Sequence, residues 1–143
     1  MLFLHGYLSD SSSFVYQTSA FSEHFSIRAP DLKGFGKNGG MEKAYSLDDY
    51  CKDVLEYIKV NALNKPCVIA HSFGGRIAIK LASKYPDLFD KIVLTGSAGL
   101  KPRFSLKRWV KKLVFKILKK FVKKERLEKF YSNDYRALSP IMK

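Results

Sequence analysis

P-C-V-I-A-H-S-F-G-G-R-I-A-I-K, residues 66–80, sets a short apolar run, a small-residue turn around a serine and a helical apolar pattern end to end without a spacer. The segment predicts strand, sharp turn, helix. Ala70 and Gly74 flank Ser72 at the two positions where a bulky side chain would collide with a turn that lifts the serine out of the sheet. A serine held there in a strained conformation projects its hydroxyl above the strand end, at the N-terminus of the next helix. That helix end supplies partial positive charge and N–H groups, which stabilise negative charge developing on a reacting oxygen. Small residues around a serine also occur in ordinary strand-to-helix turns, so the rest of the chain has to decide.

The 143 residues, 46% hydrophobic and 14% aromatic, suffice for one domain with a real core and argue against disorder. No run approaches the 18 apolar residues of a membrane span, and His5 and Gly6 interrupt the first apolar run too soon for a signal-peptide core. A cytoplasmic location is the simplest expectation. Cys51, in a helical pattern, and Cys67, at a strand start, have neither metal-ligand spacing nor the density of a disulfide framework, and read as reduced packing residues.

The net charge of +13 resembles a nucleic-acid signal until it is located. Residues 101–129 hold 13 Lys or Arg and only two acids, Glu125 and Glu128. The charge therefore belongs to one segment and not to the fold.

Taken in order, residues 2–5 (LFLH) predict a strand ending in His5-Gly6-Tyr7. Ser11, Ser12 and Ser13 offer an N-cap for a helix over 14–25, and residues 26–29 predict a second short strand closed by Pro30-Asp31. The stretch 31–40 has four glycines and predicts a tight or closely approaching loop. From Ser46 the apolar period changes, with Leu47, Tyr50, Cys51, Val54, Leu55 and Ile58 at helical spacing, Ser46 as N-cap and Asp48 and Asp49 in the first turn. Strands at 67–70 and 91–95 bracket the helix 73–85. Strands alternating with helices imply a parallel sheet with right-handed crossovers and a ligand site at the strands' carboxyl ends.

L-F-L-H-G-Y (2–7), P-D-L-K-G-F-G-K (30–37), V-I-A-H-S-F-G-G (68–75) and K-I-V-L-T-G-S-A-G (91–99) together resemble the α/β-hydrolase superfamily in motif order and spacing, over roughly residues 1–102. The resemblance implies a nucleophile elbow with Ser72 as the nucleophile, and an oxyanion hole formed by the backbone N–H groups of Tyr7 and Phe73. It gives His5, Gly6, His71 and Gly74 site-shaping roles, with neither histidine acting as general base. It implies a small-molecule acyl substrate, an ester or related bond opened through a serine acyl-enzyme, and neither cofactor nor metal. Thioesterases, lipase-like enzymes, peptidases and C–C hydrolases share these motifs, so the substrate is not readable. Ala70 replaces the family's first glycine, and Asn38 stands where serine is frequent.

In that superfamily the triad's acid and histidine follow the nucleophile on later strands. Here His5, His24 and His71 all precede Ser72, and the later acids (Asp87, Asp90, Glu125, Glu128, Asp134) fall in a helix exit, the basic segment or the tail. The family's first two strands are missing from the pattern as well. The expectation is a partial α/β-hydrolase domain over 1–143: a core at 1–102 with about four parallel strands and helices on both faces, basic amphipathic cap or lid helices at 103–131, and a tail at 132–143. Acyl hydrolysis is expected to be impaired in this chain, and a second polypeptide is a candidate to complete the sheet.

Within the basic segment, Leu106, Trp109, Val110, Leu113, Val114, Ile117, Leu118, Phe121 and Val122 recur at helical spacing with lysines between them. A lid over the active site is one reading. A helix at 103–130 lying on an anionic membrane surface, or binding a protein partner in a non-catalytic hydrolase remnant, is another. Nucleic-acid binding is the weakest, because no recognition motif or aromatic platform accompanies the lysines.

Overall fold

Parallel pairing fixes the plan. The computed structural model describes residues 1–97, in which β1 (Leu2–Leu4), β2 (Val68–His71) and β3 (Ile92–Thr95) pair in that order, all parallel. Phe3 stands opposite Ile69, and Ile69 opposite Val93. Helix α2 (Leu47–Val60) connects β1 to β2 and α3 (Phe73–Lys84) connects β2 to β3. Both steps run the same way across the sheet, so right-handed crossovers put both helices on one face, where they pack on each other. The step from β1 to Arg28 runs the opposite way and places α1 (Val15–Ser22) on the other face, with Phe3 5.1 Å from Phe14 and 6.5 Å from Phe21. Leu2, Leu4, Val68, Ala70, Ile77, Ala78 and Leu81 form the buried centre. The expected cap or lid helices at 103–131 and the tail at 132–143 lie outside the described residues.

Helix α2 follows its sequence signature closely. Ser46 accepts from the Asp49 N–H while the Asp49 carboxylate accepts from the Ser46 N–H, a reciprocal cap that satisfies two donors at once. Tyr50, Cys51, Val54 and Ile58 are buried, and Leu47 and Leu55 are half-buried.

Two expectations need correction. Residues 26–29 form no strand, only a single bridge between Arg28 and Leu2, so the described residues hold three strands and not four. Arg28 exchanges backbone bonds with Met1 and Phe3, at 2.9 and 2.8 Å. The next rung would need an N–H from residue 30, and Pro30 has none. The first helix also begins differently: Ser11–Phe14 is a 3₁₀ turn capped by the Asp10 side chain, and α1 ends at Ser22. Ser11, Ser12 and Ser13 are thus inside the turn, because Asp10 offers the stronger anionic acceptor one residue earlier.

Candidate active site

Ser72 joins β2 directly to α3 with φ 46° and ψ −103°, a left-handed backbone that costs a non-glycine residue on the order of 1–3 kcal/mol. Two contacts over-determine it. The Ser72 N–H donates to the Thr95 carbonyl at 3.1 Å, and the Gly74 N–H donates to the His5 carbonyl at 3.1 Å. A Cβ at Gly74 would overlap the Leu4 carbonyl and come within 2.8 Å of the His5 oxygen. Glycine at this position lets α3 start against the end of β1, and Ala70 beneath the turn is fully buried.

The other named residues gather at the same sheet edge. Tyr7 and Phe73 stand ring against ring at 5.7 Å, and Tyr7 is 41% exposed. Phe73 opens α3, so its N–H has no acceptor within the helix. His71 is exposed, with Nδ1 3.2 Å from Thr95 Oγ1. Its ring fits between Gly6 and Gly96, since a Cβ on either would lie 3.1 or 3.3 Å from it.

His5 is committed elsewhere. It is 1% exposed, and its Nε2 lies 2.9 Å from the Leu32 N–H while its Nδ1 lies 2.8 Å from the Gly6 carbonyl. A backbone N–H only donates and a carbonyl only accepts, so the ring is neutral with its proton on Nδ1. Neither nitrogen is available to a serine. Asp31 is equally occupied: burial alone would raise its carboxyl, but the N–H groups of Ser11 and Lys37, each at 2.8 Å, hold it below the usual carboxylate range. His24 is exposed just beyond α1. Among the described residues no histidine is hydrogen-bonded to Ser72 Oγ, and no group of three His, Cys, Asp or Glu could hold a metal ion.

A cleft of about 420 Å³ opens at this edge, bounded by Gly6, Tyr7, His71, Ser72 and Thr95 and by Phe14 and Gln17 from the α1 side. Sequence reading did not single out Thr95, Gly75 or Ser97. Thr95 bonds both Ser72 and His71. Gly75 leaves room for Ser97, whose buried hydroxyl has no hydrogen-bond partner. Position at the end of a strand was the available signal for Thr95, and the stretch 96–99, which follows that strand, placed Ser97 at the same edge; for Gly75 there was none short of the tertiary contact.

A strained serine at a strand-to-helix turn, a glycine two residues on and a His-Gly loop alongside define the site. The sequence profile described as "alpha/beta hydrolase fold" matches residues 1–128, most of the chain. The chain belongs to the α/β-hydrolase fold family. It is 34% identical over 93 residues to 2-(acetamidomethylene)succinate hydrolase of Mesorhizobium japonicum, covering 65% of this chain and 34% of that protein. It is 30% identical over 95 residues to epoxide hydrolase 1 of Caenorhabditis elegans, covering 65% and 24%. The chain thus spans about a third or less of the length of these curated relatives. Among solved structures, a meta-cleavage product hydrolase from Pseudomonas fluorescens IP01 superposes with a TM-score of 0.65 at 26% identity, covering 73% of this chain and 40% of that one. A thermophilic esterase from Thermogutta terrifontis shares the fold with a TM-score of 0.64 at 23% identity, covering 74% and 39%.

Proposed function

We propose that this chain carries the nucleophile of a serine hydrolase that opens an ester or related acyl bond. The observation behind this reading is the backbone of Ser72, left-handed between β2 and α3, in a residue that lines the cleft. In the reaction, Ser72 Oγ adds to the acyl carbonyl carbon. The N–H groups of Tyr7 and Phe73 hold the oxygen that becomes negative, and the N-terminal end of α3 adds to the same field. Collapse expels the alcohol or other leaving group, and water then cleaves the acyl-enzyme. The proton from Ser72 needs a base, and no histidine follows Ser72 in this sequence. The chain alone is therefore a slow catalyst: loss of a triad member lowers the rate by roughly 10⁴-fold or more, while an oxyanion hole alone leaves about 10³ to 10⁴ over water.

A fluorophosphonate tests the nucleophile without requiring turnover. The expected result is one slow adduct, located at Ser72 by mass spectrometry and absent from Ser72→Ala. An adduct that survives the substitution would show that the nucleophile is another residue. A fast p-nitrophenyl ester turnover abolished by Ser72→Ala would reveal a base supplied from elsewhere in the chain.

The amphipathic pattern at 103–130 favours a second reading, a non-catalytic module bound to an anionic membrane surface or a protein partner. Trp109 is the sole tryptophan and reports on it. A strong, salt-sensitive blue shift of its fluorescence with anionic vesicles supports the membrane version, and no response supports the lid.

A further inference from the structure

Four aromatic rings from four separate segments form a closed cycle beside Ser72. Tyr7, from the loop after β1, stands 5.3 Å from Phe35 of the glycine-rich loop. Phe35 stacks on Tyr50 of α2 at 6.5 Å, Tyr50 meets Phe73 of α3 edge-on at 5.0 Å, and Phe73 returns to Tyr7 at 5.7 Å. An open row of rings lets its ends move apart, whereas a closed cycle does not, since displacing any ring changes two contacts. Tyr50 is the most anchored side of this cycle beside Tyr7: it is 4% exposed against 41% for Tyr7, and it rides on a capped helix.

Tyr50 reaches the same place by a second route. Its hydroxyl donates to the Lys33 carbonyl at 3.0 Å. The neighbouring Leu32 N–H donates to His5 Nε2, and His5 Nδ1–H donates to the Gly6 carbonyl. That carbonyl lies in the same planar peptide as the Tyr7 N–H, and in a trans peptide the two point in opposite directions. Holding the Gly6 oxygen therefore aims the Tyr7 N–H. Burial pushes the Tyr50 hydroxyl up to about 12, so it keeps its proton, and its donated bond, well into alkaline solution.

We propose that Tyr50 is a positioning residue for this site, whose ring ties Tyr7 to Phe73 and whose hydroxyl steadies the loop on which His5 rests. The inference rests on the reading above that the Tyr7 and Phe73 N–H groups hold the oxyanion. Tyr50 contacts no substrate in this account; it fixes the spacing and direction of two donors, and donors pre-aimed at a developing charge act without reorganisation cost.

The test uses the full chain with Tyr50→Phe, Tyr50→Leu and, as a control for lost packing on the same helix, Ile58→Ala. Amide ¹H–¹⁵N spectra give a readout that needs no catalysis. Tyr50→Leu is expected to shift the Tyr7 and Phe73 amides and speed their exchange beyond what Ile58→Ala does. Tyr50→Phe is expected to move Leu32 and Gly34 and to leave Phe73 in place. Loosened donors are expected to slow phosphonylation of Ser72 by about tenfold or more in Tyr50→Leu, against roughly 10² to 10³ for loss of a whole donor, with Tyr50→Phe restoring most of the rate. If Tyr50→Leu fails to fold, Tyr50→Phe decides on the hydroxyl route, and unmoved Leu32 and Gly34 amides overturn the proposal. Equal changes at Tyr7 and Phe73 in Tyr50→Leu and Ile58→Ala overturn it too. A parent chain that takes no label at Ser72 sinks the serine reading, and the amide comparison then judges Tyr50 by itself.

Discussion

Adding one methyl group at Gly75 would drive a Cβ into Ser97 Oγ and to within 2.8 Å of Ser97 Cβ. Gly75→Ala is therefore expected to destabilise the chain by about 1–3 kcal/mol, the usual cost of overpacking. Ser97→Gly removes both atoms and is expected to return most of that loss, with a coupling above 0.5 kcal/mol in a double-mutant cycle. Additive single effects in denaturant unfolding would place the strain elsewhere. Asp31 gives a pH test at the same scale. Its folded pKa lies below the unfolded value near 3.8, so its contribution is present above that value and lost as pH falls through the folded one. Asp31→Asn should be less stable than the parent at pH 7, and the gap should close in acid below about pH 4. A gap that persists in acid would mean that the lost stability came from packing and not from charge.

At the scale of elements, α2 depends on its first turn. Ser46→Ala removes the side-chain acceptor of the Asp49 N–H, leaving it the Ser46 carbonyl at 3.1 Å, and one partner of the Asp49 carboxylate, and is expected to lower stability by about 1 kcal/mol. An unchanged unfolding midpoint would show that the Ser46 carbonyl and solvent serve that donor equally well. This helix was readable because its cap and apolar stripe lie within one short stretch. The strand, turn and helix around Ser72 were readable for the same reason, with Ala70, Ser72 and Gly74 spaced by two. What escaped was set by residues distant in sequence or by one missing atom. The pairing at 26–29 stops because Pro30 has no N–H to donate to β1, and an apolar run does not display that. Tyr50 read as one more core position on its helix, since its ring partners Phe35 and Phe73 come from two other segments. The Ser72 turn could be seen from the sequence, but the role of Thr95 in tying it down could not.

For the molecule as a whole, the sheet ends differently on its two sides. Beside β1, Arg28 and Pro30 close the edge; at β3, among the described residues, only β2 is paired, and Val93 is 52% exposed. Along the row Phe3, Ile69, Val93 the cover from α1 runs out, so β3, a strand suited to burial, has no second strand partner among the described residues and carries an exposed apolar side chain. The purified chain is therefore expected to self-associate or to take up a second polypeptide along β3. Size-exclusion chromatography with light scattering checks this, and Val93→Lys should shift the population towards monomer. A monodisperse parent with a sharp, reversible thermal transition would count against an open edge.

If Ser72 is the nucleophile proposed above, its left-handed angle implies that disarming the chain should toughen it. Glycine adopts φ near 46° without steric penalty, at an entropic cost of about 0.5–1 kcal/mol, whereas serine there bears on the order of 1–3 kcal/mol of strain. Ser72→Gly should then melt higher than the parent by a few degrees, as about 1 kcal/mol does in a small domain, while Ser72→Ala, equally inert but still carrying a Cβ, should not. Calorimetry on the three proteins would show whether reactivity and thermal endurance pull against each other at a single backbone torsion.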